Sequence, residues 1–126
     1  MEKYENRQIT ARGKRGSATL LPLQFMEKNE LYRGSPLVMA TSPDKKRLYV
    51  CPRGSKINFT TEFLKIYNKD YTLGVRVLKR GKKSYGYPII TLPNEFLHAN
   101  DLGPTKGITI WKTSQDSVLM ITKKKE

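Results

Sequence analysis

The chain is poor in the side chains that carry most enzyme chemistry. Its 126 residues include one cysteine, one histidine and one tryptophan, and only 11 Asp and Glu against 24 Lys and Arg. A lone Cys51 excludes an internal disulfide and suits a reducing compartment, so a cytoplasmic location is expected. One Cys and one His do not make a zinc spacing. The carboxylates, Asp44, Asp70, Asp101 and Asp116 among them, are scattered over turns and helix ends. They lack the clustering that a metal-dependent nuclease needs. His98 has neither an orienting partner nor a nucleophile near it in any recognisable motif. No phosphate-loop or dinucleotide glycine pattern occurs. The expectation is a protein that is not an enzyme and takes neither cofactor nor metal. No apolar run approaches the roughly 18 residues of a membrane span. The segment Met1 to Arg7 has no apolar stretch of signal-peptide type.

What is present in excess is positive charge. The formal net charge is +13 and the pI is near 10, which points to a polyanionic partner, most often DNA or RNA. The excess is not confined to a tail. Residues 1–59 hold 12 basic and 5 acidic side chains, and residues 60–126 hold 12 and 6, so the halves carry +7 and +6.

That even split accompanies an internal repeat. Leu21-Pro22-x-x-Phe25-Met26 returns as Leu92-Pro93-x-x-Phe96-Leu97. Positions 21, 25, 29 and 31 map onto 92, 96, 100 and 102 at a constant step of 71. The same step carries Leu37 to Ile108, Met39 to Ile110, Leu48 to Leu119 and Val50 to Ile121. Upstream, a step of 68 pairs Ile9 with Val77, Arg12 with Arg80, Gly13 with Gly81 and Lys14 with Lys82, which implies three extra residues in the second basic loop.

Each copy reads as strand, basic loop, strand, short helix, strand, turn, strand. Gln8 to Ala11 and Ser17 to Leu21 are strand candidates around Arg12-Gly13-Lys14-Arg15-Gly16. Pro22 suits the first position of a helix, where its missing N–H costs nothing. Phe25 and Met26 fall on the apolar face of that helix. Pro36 to Thr41 and Arg47 to Cys51 read as a hairpin about Ser42-Pro43-Asp44. In the second copy Val75 to Lys79 alternates apolar and basic residues, the pattern of a half-buried strand. Arg80-Gly81-Lys82-Lys83 is its loop, Pro88 to Leu92 a strand and Pro93 to Asn100 a helix. A hairpin of Ile108 to Lys112 and Val118 to Thr122 closes the copy. The fold class expected is mostly β with short helices, an α+β or β-barrel arrangement. Its units are residues 7–52 and 75–122, a connector at 53–74 with a helix near 61–69, and a basic tail at 123–126.

The unit resembles the AbrB-like swapped-hairpin family, which includes AbrB- and SpoVT-type transition regulators and MazE-type antitoxins. The resemblance rests on Leu21-Pro22…Phe25…Leu31…Gly34 and Leu92-Pro93…Phe96…Leu102…Gly107. Family members usually carry one unit per chain and pair two chains by exchanging hairpins. Two units in one chain imply a covalent pseudo-dimer, a sensible remedy for units too small to build a core alone. The residues after the helix depart from the Gly-Asp often found there: Ser35 follows Gly34 and Ile108 follows Gly107.

In that family the DNA-facing surface comes largely from the first strands and the loop between them. Carried onto this chain, it implies Arg12, Lys14 and Arg15, with Arg80, Lys82 and Lys83. The residues themselves agree. Arginine grips phosphate or a guanine edge with paired hydrogen bonds, lysine acts as a point charge, and glycine lets backbone approach closely. Two such loops about a pseudo-twofold suit a roughly palindromic site in double-stranded DNA. Tyr71, Tyr85 and Tyr87 lie among the basic residues and are candidates for stacking on unpaired bases, against the commoner reading of strand packing. Three alternatives stay open: an antitoxin-like module holding a protein partner, a single-stranded nucleic-acid or RNA binder, and a structural, non-specific nucleic-acid-binding protein such as a viral component. A homodimer of two pseudo-dimers also stays open.

Overall fold

The computed structural model describes residues 2–55, 64–67 and 71–125. It is mostly β, with two short helices, as the composition of the repeats implies. Strand β1 (Lys3–Gln8) is followed by β2 (Thr10–Ala11), a 3-10 turn at Gly13–Arg15, and β3 (Ser17–Leu20). Helix α1 (Leu23–Lys28) leads to the hairpin of β4 (Pro36–Thr41) and β5 (Arg47–Pro52). Two-residue strands β6 (Lys65–Ile66) and β7 (Tyr71–Thr72) precede β8 (Gly74–Arg80) and β9 (Lys83–Thr91). Helix α2 (Asn94–Ala99) leads to β10 (Gly107–Lys112) and β11 (Leu119–Lys123).

These strands make two sheets. The larger runs β1-β10-β11-β5-β4-β6, with β7 also on β4, and the smaller runs β2-β3-β9-β8. One apolar cluster lies between them and draws on both copies. Leu21, Phe25, Leu37, Met39, Leu48 and Val50 meet Leu92, Phe96, Ile108, Ile110, Leu119 and Ile121, all essentially buried. Every one of these residues has its partner 71 positions away in the same core, so the apolar repeat in the sequence is the core itself.

The pairing reveals a pseudo-twofold axis. In the small sheet Thr19 faces Ile90, and in the large sheet Tyr49 faces Met120. Each pair joins a residue to its own equivalent at step 71. Antiparallel neighbours are related by a twofold normal to the sheet, so one axis pierces both layers. The helices obey it closely: Pro22 and Pro93 precede them with φ/ψ of −61/131 and −62/134. Each ends at an asparagine, Asn29 or Asn100, followed by a residue at φ +52, Glu30 or Asp101.

Upstream of β3 and β9 the step differs from the one expected. Ile9 bonds through its N–H to Lys106 O and through its O to Thr105 N, each at 2.8 Å. Leu73 makes the matching pair with Ser35 O at 2.9 Å and Gly34 N at 2.8 Å. The spatial equivalent of Ile9 is therefore Leu73, a step of 64, and not Val77. The second copy has seven extra residues, from 64 to 71, not three. Burial explains the correction, since Ile9 and Leu73 are each 1% exposed whereas Val77 is 57% exposed.

The connector also differs. Lys65–Ile66 is a strand paired with β4 at Thr41 and Ala40, so a helix near 61–69 does not run through these residues. The remainder of that expected helix, 61–63 and 68–69, lies outside the described residues. Together β6 and β7 flank β4 as β1 flanks β10, which makes these two strands the second copy's counterpart of β1 in the shared large sheet. Lys123, assigned to the tail, is the last residue of β11.

Candidate nucleic-acid interface

The small sheet has one face toward the core and one away from it. Thr19, Ile90 and the flanking Leu21 and Leu92 point inward. The outer face carries the alternate set, with Ala18 opposite Thr91 and Gly74 opposite Ile89. The register then continues along β8 and β9, where Arg76 faces Tyr87 and Arg80 faces Lys83. Arg76, Arg80, Lys83, Tyr85 and Tyr87 therefore share one face with the outer side of the sheet.

Beyond Pro88 the β8–β9 hairpin leaves the body. Pro88 to Ile90 are buried, whereas Lys83 to Gly86 are exposed on successive residues, thus on both faces. Val77 and Tyr85, on opposite faces, are 57% and 43% exposed. The alternating pattern of Val75 to Lys79, which suggests a half-buried strand, belongs instead to a two-stranded arm. At its tip Gly81, at φ +66, and Lys82 close the Arg80–Lys83 pair. A positive φ at the first loop residue and not at the second is the type II′ pattern, whose twist fits a hairpin.

The sequence-derived candidates are distributed unequally. Arg80, Lys82 and Lys83 sit together at the exposed arm tip. Arg12 lies back across the outer face of the sheet: its Nη1 donates to Thr91 Oγ1 at 3.2 Å, and Nη2 rests against Gly74 so closely that a Cβ there would collide with it. Lys14 is exposed on the 3-10 turn, and the side chain of Arg15 lies outside the described set. The Arg12 N–H closes that turn onto Gly16 O at 2.7 Å. Because β3 and β9 run antiparallel, the short turn and the long arm leave opposite ends of one sheet. They are two prongs of very different length, not a matched pair.

Between the short turn and the base of the arm is a cleft of about 680 Å³. Arg12, Lys14 and Arg33 line it with Asn94, and no carboxylate does among the described residues. Arg33, Arg76 and Lys79 are members of the basic surface that motif reasoning passed over. Their signal was faint because they sit outside the two Arg-Gly-Lys loops. Tyr71, by contrast, is buried in the core, and burial raises its phenol above the usual range. It is not placed to stack on a base.

The side chains with other chemical potential are structural or solvated. Cys51 is buried among Tyr49, Val118 and Met120, and loss of hydration pushes its thiol up to about 11. His98 is exposed on α2. Asp44 accepts from Ser42 Oγ at 2.6 Å and from the Lys46 N–H at 3.0 Å, which holds its carboxyl below the usual range. Trp111 donates through Nε1 to Thr122 Oγ1 at 2.8 Å. Among the described residues no three His, Cys, Asp or Glu side chains gather as a metal site, and no helix is long and apolar enough to cross a membrane. Compared with protein-family models, with curated proteins and with solved structures, the chain matches none of them.

Proposed function

We propose that this protein binds duplex DNA in the cytoplasm and acts as a transcriptional regulator of the AbrB-like type rather than as an enzyme. The observation that carries the reading is the β8–β9 arm. Arg76, Lys79, Arg80, Lys82 and Lys83 lie on a projecting ribbon, with no acidic residue between Leu73 and Pro93. Like charges directly opposite, as at Arg80 and Lys83, disfavour a hairpin. A phosphate backbone reverses that sign and releases counterions on binding. The strand–loop–strand–helix–hairpin order of each copy, closed within one chain, supports the AbrB-like comparison. A second reading, binding of single strands, is favoured by Tyr85 and Tyr87 sharing a face with Arg76 and Arg80.

Titration of a labelled random-sequence duplex over a salt series tests the proposal. If about six phosphates are neutralised, the log–log slope is near −5. The variant R80A/K82A/K83A removes three exposed cations, so the slope shrinks by about 3 while the circular dichroism spectrum is unchanged. Unaltered affinity and slope in that variant remove the reading. Preferential competition by a single strand at equal salt replaces it with the second.

A further inference from the structure

The pseudo-twofold is close in the core, the helices and the hairpin that follows each helix, and its largest departure on the described surface is the segment leading into β3 and β9. In the first copy the chain goes from Ile9 to Ser17 through a closed turn. In the second it goes from Leu73 to Pro88 through an arm. The six pairs from Val75–Pro88 to Arg80–Lys83 span about 17 Å at 3.3 Å per residue. That reach exceeds the roughly 8.5 Å depth of the major groove, whose width of about 12 Å admits a two-stranded ribbon. The minor groove, at about 6 Å, takes a ribbon only when the duplex is bent and the groove widened, which costs deformation energy. The short turn has no such reach, and its leading arginine is hydrogen-bonded to Thr91 on the body.

We infer that the protein reads an asymmetric duplex site. Resting on the DNA-binding reading above, this inference puts the β8–β9 arm into the major groove on one side of the pseudo-axis. There Arg76, Arg80, Lys83 and Tyr85 meet base edges and the flanking phosphates. On the other side the short turn, through Lys14 and the cleft beside it, only clamps backbone. Base readout is thereby confined to one half of the site, whereas a true homodimer of equal prongs reads both halves alike. The palindromic site suggested by the sequence repeat is replaced by a one-sided one.

The test is selection of bound duplexes from a random pool, run with the full chain and with an arm-trimmed variant. Val77 and Gly86 face each other, so an Asn-Gly turn replacing residues 78–85 closes the shortened hairpin without touching the body. The expected wild-type result is an enriched motif that is not palindromic. Trimming erases that motif, and removing four cations shrinks the salt slope by about 3 to 4. The far-UV spectrum and melting temperature of the trimmed protein verify that the body is intact. A palindromic motif, a motif that survives trimming, or duplex binding with no enriched motif overturns the inference and leaves the DNA-binding reading standing. No retained duplex at 50 mM salt overturns both.

Discussion

Asn29 and Asn100 do the same work in each copy. Each side-chain amide donates to a carbonyl one turn back in its own helix, Phe25 O at 2.9 Å or Phe96 O at 2.8 Å. Each also donates across the pseudo-axis to the other copy's hairpin turn, Asp116 O at 3.2 Å or Lys45 O at 2.8 Å. Replacing either with alanine costs about 1 kcal/mol in urea denaturation, N100A more than N29A, because its bonds are shorter and less exposed. Thr105 stands where the first copy has Gly34, at φ +78 against +90. A β-branched residue is strained there. T105G should therefore raise stability by up to about 1 kcal/mol, while G34T lowers it by at least as much. Cys51 supplies a pH test. Its folded thiol titrates near 11 against an ordinary 9.0, so the native state favours the neutral form. That contribution is complete below pH 9 and is lost as pH rises from 9 through 11. Iodoacetamide at pH 9 should label unfolded protein rapidly and native protein very slowly.

At the scale of elements, the helices and the later hairpins are readable because their cues are local. Leu-Pro sets the start, Phe25 and Phe96 set the buried face, and both sites recur at one fixed step. Strand β1 offers no such cue. Lys3-Tyr4-Glu5-Asn6-Arg7-Gln8 has one apolar residue, and it is held by pairing with β10 and by the Thr109 hydroxyl donating to Asn6 Oδ1 at 2.7 Å. Strands β6 and β7, two residues each, are too short to show a period of two. The arm was misaligned by four residues because Arg-Gly-Lys occurs in both turns, at 12–14 and 80–82. Only burial separates them, and burial is a property of the folded chain. Of the candidate site, Arg80, Lys82 and Lys83 are where the glycine loop puts them. Arg76 and Lys79 are missed because an exposed ribbon and a half-buried strand share one alternating pattern.

For the whole molecule, the interleaving of copies has a thermodynamic consequence. Strand β3 pairs with β9 and β5 with β11, so neither copy keeps its sheets without the other. Heat or urea should unfold the body in one transition, with Trp111 fluorescence and far-UV circular dichroism giving the same midpoint. Two separated midpoints would mean that the copies are independent folding units. A fragment of residues 1–55 loses β9, β10 and β11, the neighbours of β3, β1 and β5, and should be unfolded, or self-associate, by sedimentation.

The arm lies outside this cooperative body, with residues 79–86 all exposed. Adding or removing one residue pair of ribbon, two residues in all, would move the tip by about 3.3 Å. Two such pairs would also keep every remaining side chain on its present face. Reach is thereby a dimension that mutation can adjust in small increments without disturbing the folding energy of the rest. Chains with the same body and ribbons of different length would then engage grooves to different depths.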